Sequence, residues 1–128
     1  MTTKFILMYA TVLGTILVVD ALWLGVIAKS LYREKIGHLM APGVMWWAVI
    51  VFYALYAFGL VVLVVQPAST MGGVAVAAAL FGLVAYGTYD LTNQAVMRQW
   101  PISLTMIDMA WGSFITALAA VVGFVVRR

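Results

Sequence analysis

The sequence lacks cysteine altogether and is poor in charge. None of its 128 residues is cysteine, and only 9% are Asp, Glu, Lys or Arg. The chain can therefore form no disulfide, no thiolate metal site and no cysteine nucleophile. Soluble domains carry about 25% charged and about 45–50% apolar residues, whereas 66% of this chain is hydrophobic. This composition excludes an ordinary soluble protein, a disordered protein and a disulfide scaffold, and it indicates lipid as the main solvent.

The few charges do not form a surface for nucleic acid. The net charge is +3, from seven basic and four acidic residues. The basic residues lie between apolar runs, at Lys4, Lys29, Arg33, Lys35, Arg98, Arg127 and Arg128. Cations in such positions are typical of the flanks of membrane helices. We therefore expect membrane lipids as partners and no nucleic acid.

Four stretches are long and apolar enough to cross a membrane. A spanning helix needs about 20 mostly apolar residues, and residues 5–28, 44–65, 73–98 and 102–126 meet this condition. Short turns at 66–70 and 99–101 join the last three stretches. The sequence thus predicts an all-α polytopic membrane protein, in which one transmembrane domain over residues 1–128 forms an antiparallel bundle of four helices.

The first loop is longer and has its own pattern. Its apolar residues Leu31, Tyr32, Ile36 and Leu39 alternate with Arg33, Glu34, Lys35 and His38. This spacing predicts a short amphipathic helix that lies at the membrane interface. His38, as a lone histidine in this loop, is expected to be solvated, and we predict no metal site.

Three of the four acidic residues fall inside the spans. A charge at membrane depth costs roughly 2.5–3.5 kcal/mol on insertion scales. Asp20 precedes Lys29 by nine residues, Asp90 precedes Arg98 by eight, and Asp108 lies at a similar depth in the last span. Each acid is therefore about 10–13 Å inside its helix end. The antiparallel topology brings these three ends to one side, so the carboxyl groups should converge in one layer.

Helical spacing adds further side chains to this polar layer. The ligand-binding candidates are Asp20, Trp23, Tyr86, Asp90, Asn93, Gln94, Arg98, Asp108 and Trp111. Their acids and amides also suit a purely structural role, since such groups hydrogen-bond neighbouring membrane helices. The second span offers only Tyr53 and Tyr56 as polar side chains near its middle, and we expect it to face lipid more than the others.

Charge balance limits what the layer can hold. Three carboxylates in a poorly hydrated site cannot all stay ionised, so at least one should be protonated near neutral pH and Arg98 could neutralise another. If Arg98 is buried there, the remaining basic residues favour cytoplasmic termini. No sequence feature identifies a cofactor.

Several short motifs resemble a known family. They are Tyr89-Asp90-Leu91-Thr92-Asn93, Trp100-Pro101, Asp108-x-x-Trp111-Gly112 and Asp20-x-x-Trp23-Leu24-Gly25. The chain is similar over nearly its whole length to an uncharacterised family of small bacterial predicted membrane proteins with four spans. The resemblance implies a multi-pass protein of the bacterial inner (cytoplasmic) membrane, and it implies no particular activity.

These features lead to one functional hypothesis and two alternatives. In the first, a one-sided polar pocket binds or processes a small amphipathic molecule such as a lipid. Arg98 would pair with an anionic group, Asn93 and Gln94 would orient it, and an aspartate would act as acid or base if chemistry occurs.

The second hypothesis is a proton-coupled transporter that acts as a homodimer, with Asp20 as the proton-binding acid. Its size resembles that of small multidrug transporters. The third is a structural or assembly subunit of a membrane complex, in which the polar residues only join helices. Whether the protein is an enzyme stays open at this point.

Overall fold

Every regular element of the described chain is helical. The computed structural model describes residues 2–127. Its four long helices are α1 (Thr2–Leu22), α3 (Trp46–Leu60), α4 (Met71–Val96) and α5 (Ile102–Arg127), and a short α2 (Leu31–Ile36) lies in the first loop. The predicted all-α class, with four spans and a helix in the first loop, is confirmed.

Two of the long helices continue as π-helical turns. α1 extends through Trp23–Ile27 and α3 through Val61–Val65. With these extensions the candidate spans are Thr3–Ile27, Trp46–Val65, Met71–Val96 and Ile102–Arg127. The shortest of them has 20 residues, which covers the hydrocarbon core of about 30 Å at 1.5 Å per residue.

The ends of α4 differ from the expected span of 73–98. The helix begins at Met71, because the Oγ1 atom of Thr70 accepts a hydrogen bond of 2.9 Å from the backbone N–H of Gly73 and so caps its first turn. It ends at Val96, and the chain then turns through Gln99, whose φ of 62° is left-handed. Arg98 therefore lies in a turn and not on the helix.

α5 is the central helix of the bundle. It packs closely against α4 and also against α1, and it runs antiparallel to both. Small residues allow the close approach: Gly82 of α4 lies against the backbone of Gly112 and the side chain of Thr116, and Gly112 in turn lies under the ring of Tyr86. Such contacts stabilise membrane helices through packing, because lipid provides no hydrophobic drive for their association.

The half of the bundle near the chain termini, which we call the terminal half, is filled with apolar side chains. Its buried residues include Met8, Val12, Ile16, Leu60, Val61, Val65, Val74, Ile115, Ala119 and Phe124. At its edge the Arg127 guanidinium donates hydrogen bonds to the carbonyl oxygens of Val65 (3.1 Å) and Gln66 (2.8 Å). These bonds satisfy carbonyls at the end of the second span.

We expect Gly82→Ala to destabilise the bundle by about 1–3 kcal/mol, the usual cost of overpacking a tight core. The added Cβ atom would overlap the carbonyl oxygen of Gly112, a backbone atom that cannot rotate away. Gly14→Ala is the matched control, since a Cβ there meets nothing within 4 Å. Thermal unfolding in detergent should separate the two variants, and equal melting temperatures would contradict this packing.

Candidate functional site

A cavity of about 420 Å³ lies in the other half of the bundle, which contains the first and third loops and is called the loop half below. All five helices contribute to its wall, and so does the turn between α4 and α5. The lining residues are Asp20, Leu24, Tyr32, Ile36, Phe52, Tyr53, Tyr56, Ala85, Tyr86, Tyr89, Asp90, Trp100, Leu104, Asp108 and Trp111. The volume is within the range of about 300–1,000 Å³ that is common for small-molecule sites.

The three aspartates of the spans meet at this cavity. Asp20, Asp90 and Asp108 all line it, and they are 7%, 0% and 8% exposed. They come from α1, α4 and α5, whose loop-side ends the antiparallel topology brings together. The expected convergence of the carboxyl groups is therefore present in the structure.

Asp20 is well supplied with hydrogen-bond donors. It accepts a hydrogen bond from the hydroxyl of Tyr53 and one of 3.1 Å from Nε1 of Trp111. The indole of Trp111 also stacks on that of Trp23, with ring centroids 4.3 Å apart and planes at 11°. Thus two neighbours hold the Asp20 carboxylate in place, and Trp23 supports one of them from behind.

Asp108 is tied to the loop helix. Its Oδ1 atom accepts a hydrogen bond of 2.7 Å from the hydroxyl of Tyr32 on α2, and that hydroxyl accepts one of 3.1 Å from Nε1 of Trp23. Burial raises the pKa of Tyr32 well above its ordinary value, so the hydroxyl keeps its proton and remains a donor. This chain of bonds holds α2 over the loop-side end of the cavity.

Asp90 has no such support. It is fully buried, and neither of its carboxyl oxygens has a partner with hydrogen-bond geometry. The carboxyl of Asp108 lies near enough to interact with it, although the two groups do not meet in a well-formed bond. Two adjacent carboxylates cannot both stay ionised at a buried site unless something compensates their charge. A shared proton or a bound cation would provide that compensation.

Three of the nine candidate residues lie near the cavity without lining it, and one of them braces the turn between α4 and α5. The Nε2 atom of Gln94 donates to the carbonyl of Trp100 (2.8 Å), and its Oε1 atom accepts from Oγ1 of Thr105 (2.8 Å). Trp100 donates in turn from Nε1 to Thr105 (3.0 Å). These hydrogen bonds give Gln94 a structural role.

The other two of these candidates have no contact with the cavity space. Trp23 lies behind Trp111, and Asn93 is half-buried outside the lining.

The structure corrects the expectation for Arg98. Its side chain is exposed and lies outside the cavity lining, because α4 ends before it. It does not neutralise an aspartate there, and it is not placed to bind an anionic group in the cavity. With Arg98 exposed on the loop side, the distribution of basic residues no longer favours cytoplasmic termini.

The second span contributes more than the sequence suggested. Phe52, Tyr53 and Tyr56 of α3 all line the cavity, and the hydroxyl of Tyr56 shares a hydrogen bond of 2.8 Å with Oγ1 of Thr116. The expectation that this span mainly faces lipid was too simple. The available signal was the spacing of its tyrosines, which places Tyr53 and Tyr56 on one helix face.

The lining is acidic and aromatic. It contains three Asp, eight aromatic residues and four aliphatic ones, and none of the described lining residues is Lys, Arg or His. Within residues 2–127 no three His, Cys, Asp or Glu side chains form a group that could hold a metal ion. Chemically, such a site offers carboxyl oxygens and aromatic faces in a poorly hydrated space.

The chain matches the model of a known protein family. A family model described as a predicted membrane protein (DUF2177) matches residues 5–125. No curated protein and no solved structure matches the chain.

We expect Tyr32→Phe to loosen α2 without unfolding the bundle. The change removes the donor to Asp108 and leaves that buried carboxyl unsatisfied, at a cost of about 1–3 kcal/mol. Amide hydrogen exchange should therefore become faster over residues 31–36 and stay unchanged in the spans. Arg33→Gln, at an exposed position of the same helix, is the control. Unchanged exchange in α2 of the Tyr32 variant would show that this bond does not hold the helix.

Proposed function

The chain belongs to the DUF2177 family of predicted membrane proteins, and we propose that its loop-half cavity binds a small amphipathic molecule such as a lipid, to hold or to process it. The observation that carries the proposal is the fully buried and unpartnered carboxyl of Asp90 in the wall of a cavity. A buried charged group without a partner is costly, and a ligand would supply what is missing. We place this function in the bacterial inner membrane.

An apolar groove shares one lining residue with the cavity. This groove lies between the end of the second span and α4, and its lining residues are Leu63, Val64, Ala77, Leu80, Phe81, Val84 and Ala85. Ala85 belongs to both linings, so the polar cavity and the apolar groove meet at this residue. A molecule with a polar head and an apolar tail fits such an arrangement.

The packing of α3 and α4 suggests how the molecule enters. α4 contacts the Val61–Val65 end of the second span more closely than the body of α3, so the two helices separate toward the loop half. Phe52 of α3 and Tyr89 of α4 line the cavity but are 46% and 56% exposed on the bundle surface. In the proposed function these side chains form the rim of an opening toward the bilayer. Entry from the lipid phase suits an amphipathic ligand.

Two observations favour binding over the alternatives. A purely structural role accounts for Gln94, Asp20 and Asp108, whose hydrogen bonds join helices, but it does not account for Asp90. Transport through a single chain would need a path through the terminal half, and Val12, Ile115 and the other apolar side chains of its core fill that region. The cavity opens within one half of the bundle only.

A bulky side chain at Ala85, where the linings of the cavity and the groove meet, should weaken binding. We expect Ala85→Phe to reduce labelling of residues 77–85 by a photoreactive amphiphile, with its reactive group on the acyl chain, at least about tenfold, a loss of about 1.4 kcal/mol in binding. The measurement is peptide mass spectrometry after photolysis of the full chain in lipid nanodiscs. Ala110→Phe, at an exposed position of α5 outside both linings, is the matched control.

Labelling spread evenly over the lipid-facing residues, and the same in both variants, would mean that the cavity and groove hold no amphiphile.

A further inference from the structure

We infer that the molecule bound in the cavity carries a positively charged nitrogen at its head, as an ammonium or quaternary ammonium group. The inference rests on the proposed function, because it specifies the head of the amphipathic ligand. Its basis is the combination of the unpartnered carboxyl group of Asp90 with aromatic faces around one cavity.

The hydrogen bonds of the three aspartates leave one carboxyl group without a partner. Asp20 has two donors and Asp108 has one, whereas Asp90 has none. None of the described lining residues is basic, so no positive charge of the wall faces Asp90 and Asp108. An organic cation beside this pair would compensate the buried charge. A head whose only charge is a phosphate or carboxylate would increase it and is disfavoured.

The tyrosine hydroxyls point to the same conclusion. Those of Tyr32, Tyr53 and Tyr56 are committed to Asp108, Asp20 and Thr116 respectively. An anionic head needs free donors, and three of the five tyrosines in the lining do not provide them. What the rings still offer to a ligand is their faces, which carry partial negative charge and attract cations.

The rings are arranged at steep angles to one another. Tyr56 and Tyr86 lie 6.4 Å apart at 87°, and Tyr89 and Trp100 lie 5.8 Å apart at 82°. All four rings line the cavity, so its wall contains aromatic faces in several orientations, and such faces are the groups that bind quaternary ammonium ions in aromatic cages. A metal ion is a poorer candidate, because the carboxyl groups within residues 2–127 do not form a metal-binding cluster.

The test compares three probes with the same octyl chain. They are octyltrimethylammonium, the neutral octyl methyl sulfoxide and the anionic octyl sulfonate, titrated calorimetrically into the full chain in maltoside micelles, with empty micelles as the blank. We expect the cation to bind at least about tenfold more tightly than the neutral probe, which corresponds to about 1.4 kcal/mol, and the anion to bind most weakly. This comparison uses the unmodified chain and needs no variant to fold.

A variant locates the effect. Asp90→Asn keeps the size of the side chain and should weaken binding of the cation about tenfold, by loss of an interaction of about 1.4 kcal/mol, while binding of the neutral probe stays unchanged. Glu34→Gln removes one carboxylate from an exposed position of α2 and should change neither. Equal weakening by both variants would mean that the general charge of the protein, and not Asp90, attracts the cation.

The outcomes separate the two proposals. If none of the three probes binds, the proposed function itself fails. If the neutral or anionic probe binds as tightly as the cation, the cavity takes an amphiphile but the inferred charge is wrong. Displacement of the cation by phosphatidylethanolamine would identify a lipid headgroup as the source of the nitrogen, and displacement by a free alkylamine alone would identify an unesterified amine. Both of these results support the inference.

Discussion

Three carboxyl groups lie within an apolar bundle, and each must be compensated there because neither lipid nor apolar side chains solvate a charge. Asp20 is compensated by Tyr53 and Trp111, and Asp108 by Tyr32. These donors come from α3, α5 and the loop helix α2, so the same bonds also hold the elements of the loop half together. Only Asp90 is left without a partner, and that makes it the part of the site which a ligand can complete.

The rest of the bundle keeps this arrangement in place. In the terminal half, apolar side chains fill the interior, and α4 and α5 approach closely at Gly82 and Gly112. In the loop half, α3 and α4 separate and aromatic side chains surround an open space. A closely packed end and an open end in one short chain account for a cavity that lies in one half of the bundle.

Sequence reasoning reached the fold class and the convergence of Asp20, Asp90 and Asp108, because both follow from span length and antiparallel order alone. It did not reach the contribution of α3, for which the spacing of Tyr53 and Tyr56 was the available signal. It did not reach the bond from Tyr32 either, since that bond depends on how the loop helix packs over the bundle, which the sequence pattern does not encode. Arg98 was misplaced for a local reason. Its helix ends at Val96, and the chain then turns through Gln99, whose backbone is left-handed. The helical spacing of residues in the sequence does not reveal where this helix ends.

A high-resolution density map of the full chain in lipid nanodiscs tests the central claim most directly. The account predicts the three carboxyl groups in one layer around an open space, with additional density of an elongated molecule between Asp90 and the neighbouring aromatic rings and with its tail directed past Ala85. A collapsed space, in which Asp90 is hydrogen-bonded to groups of the protein and no molecule is present, would contradict the account and would leave the aspartates with a structural role only.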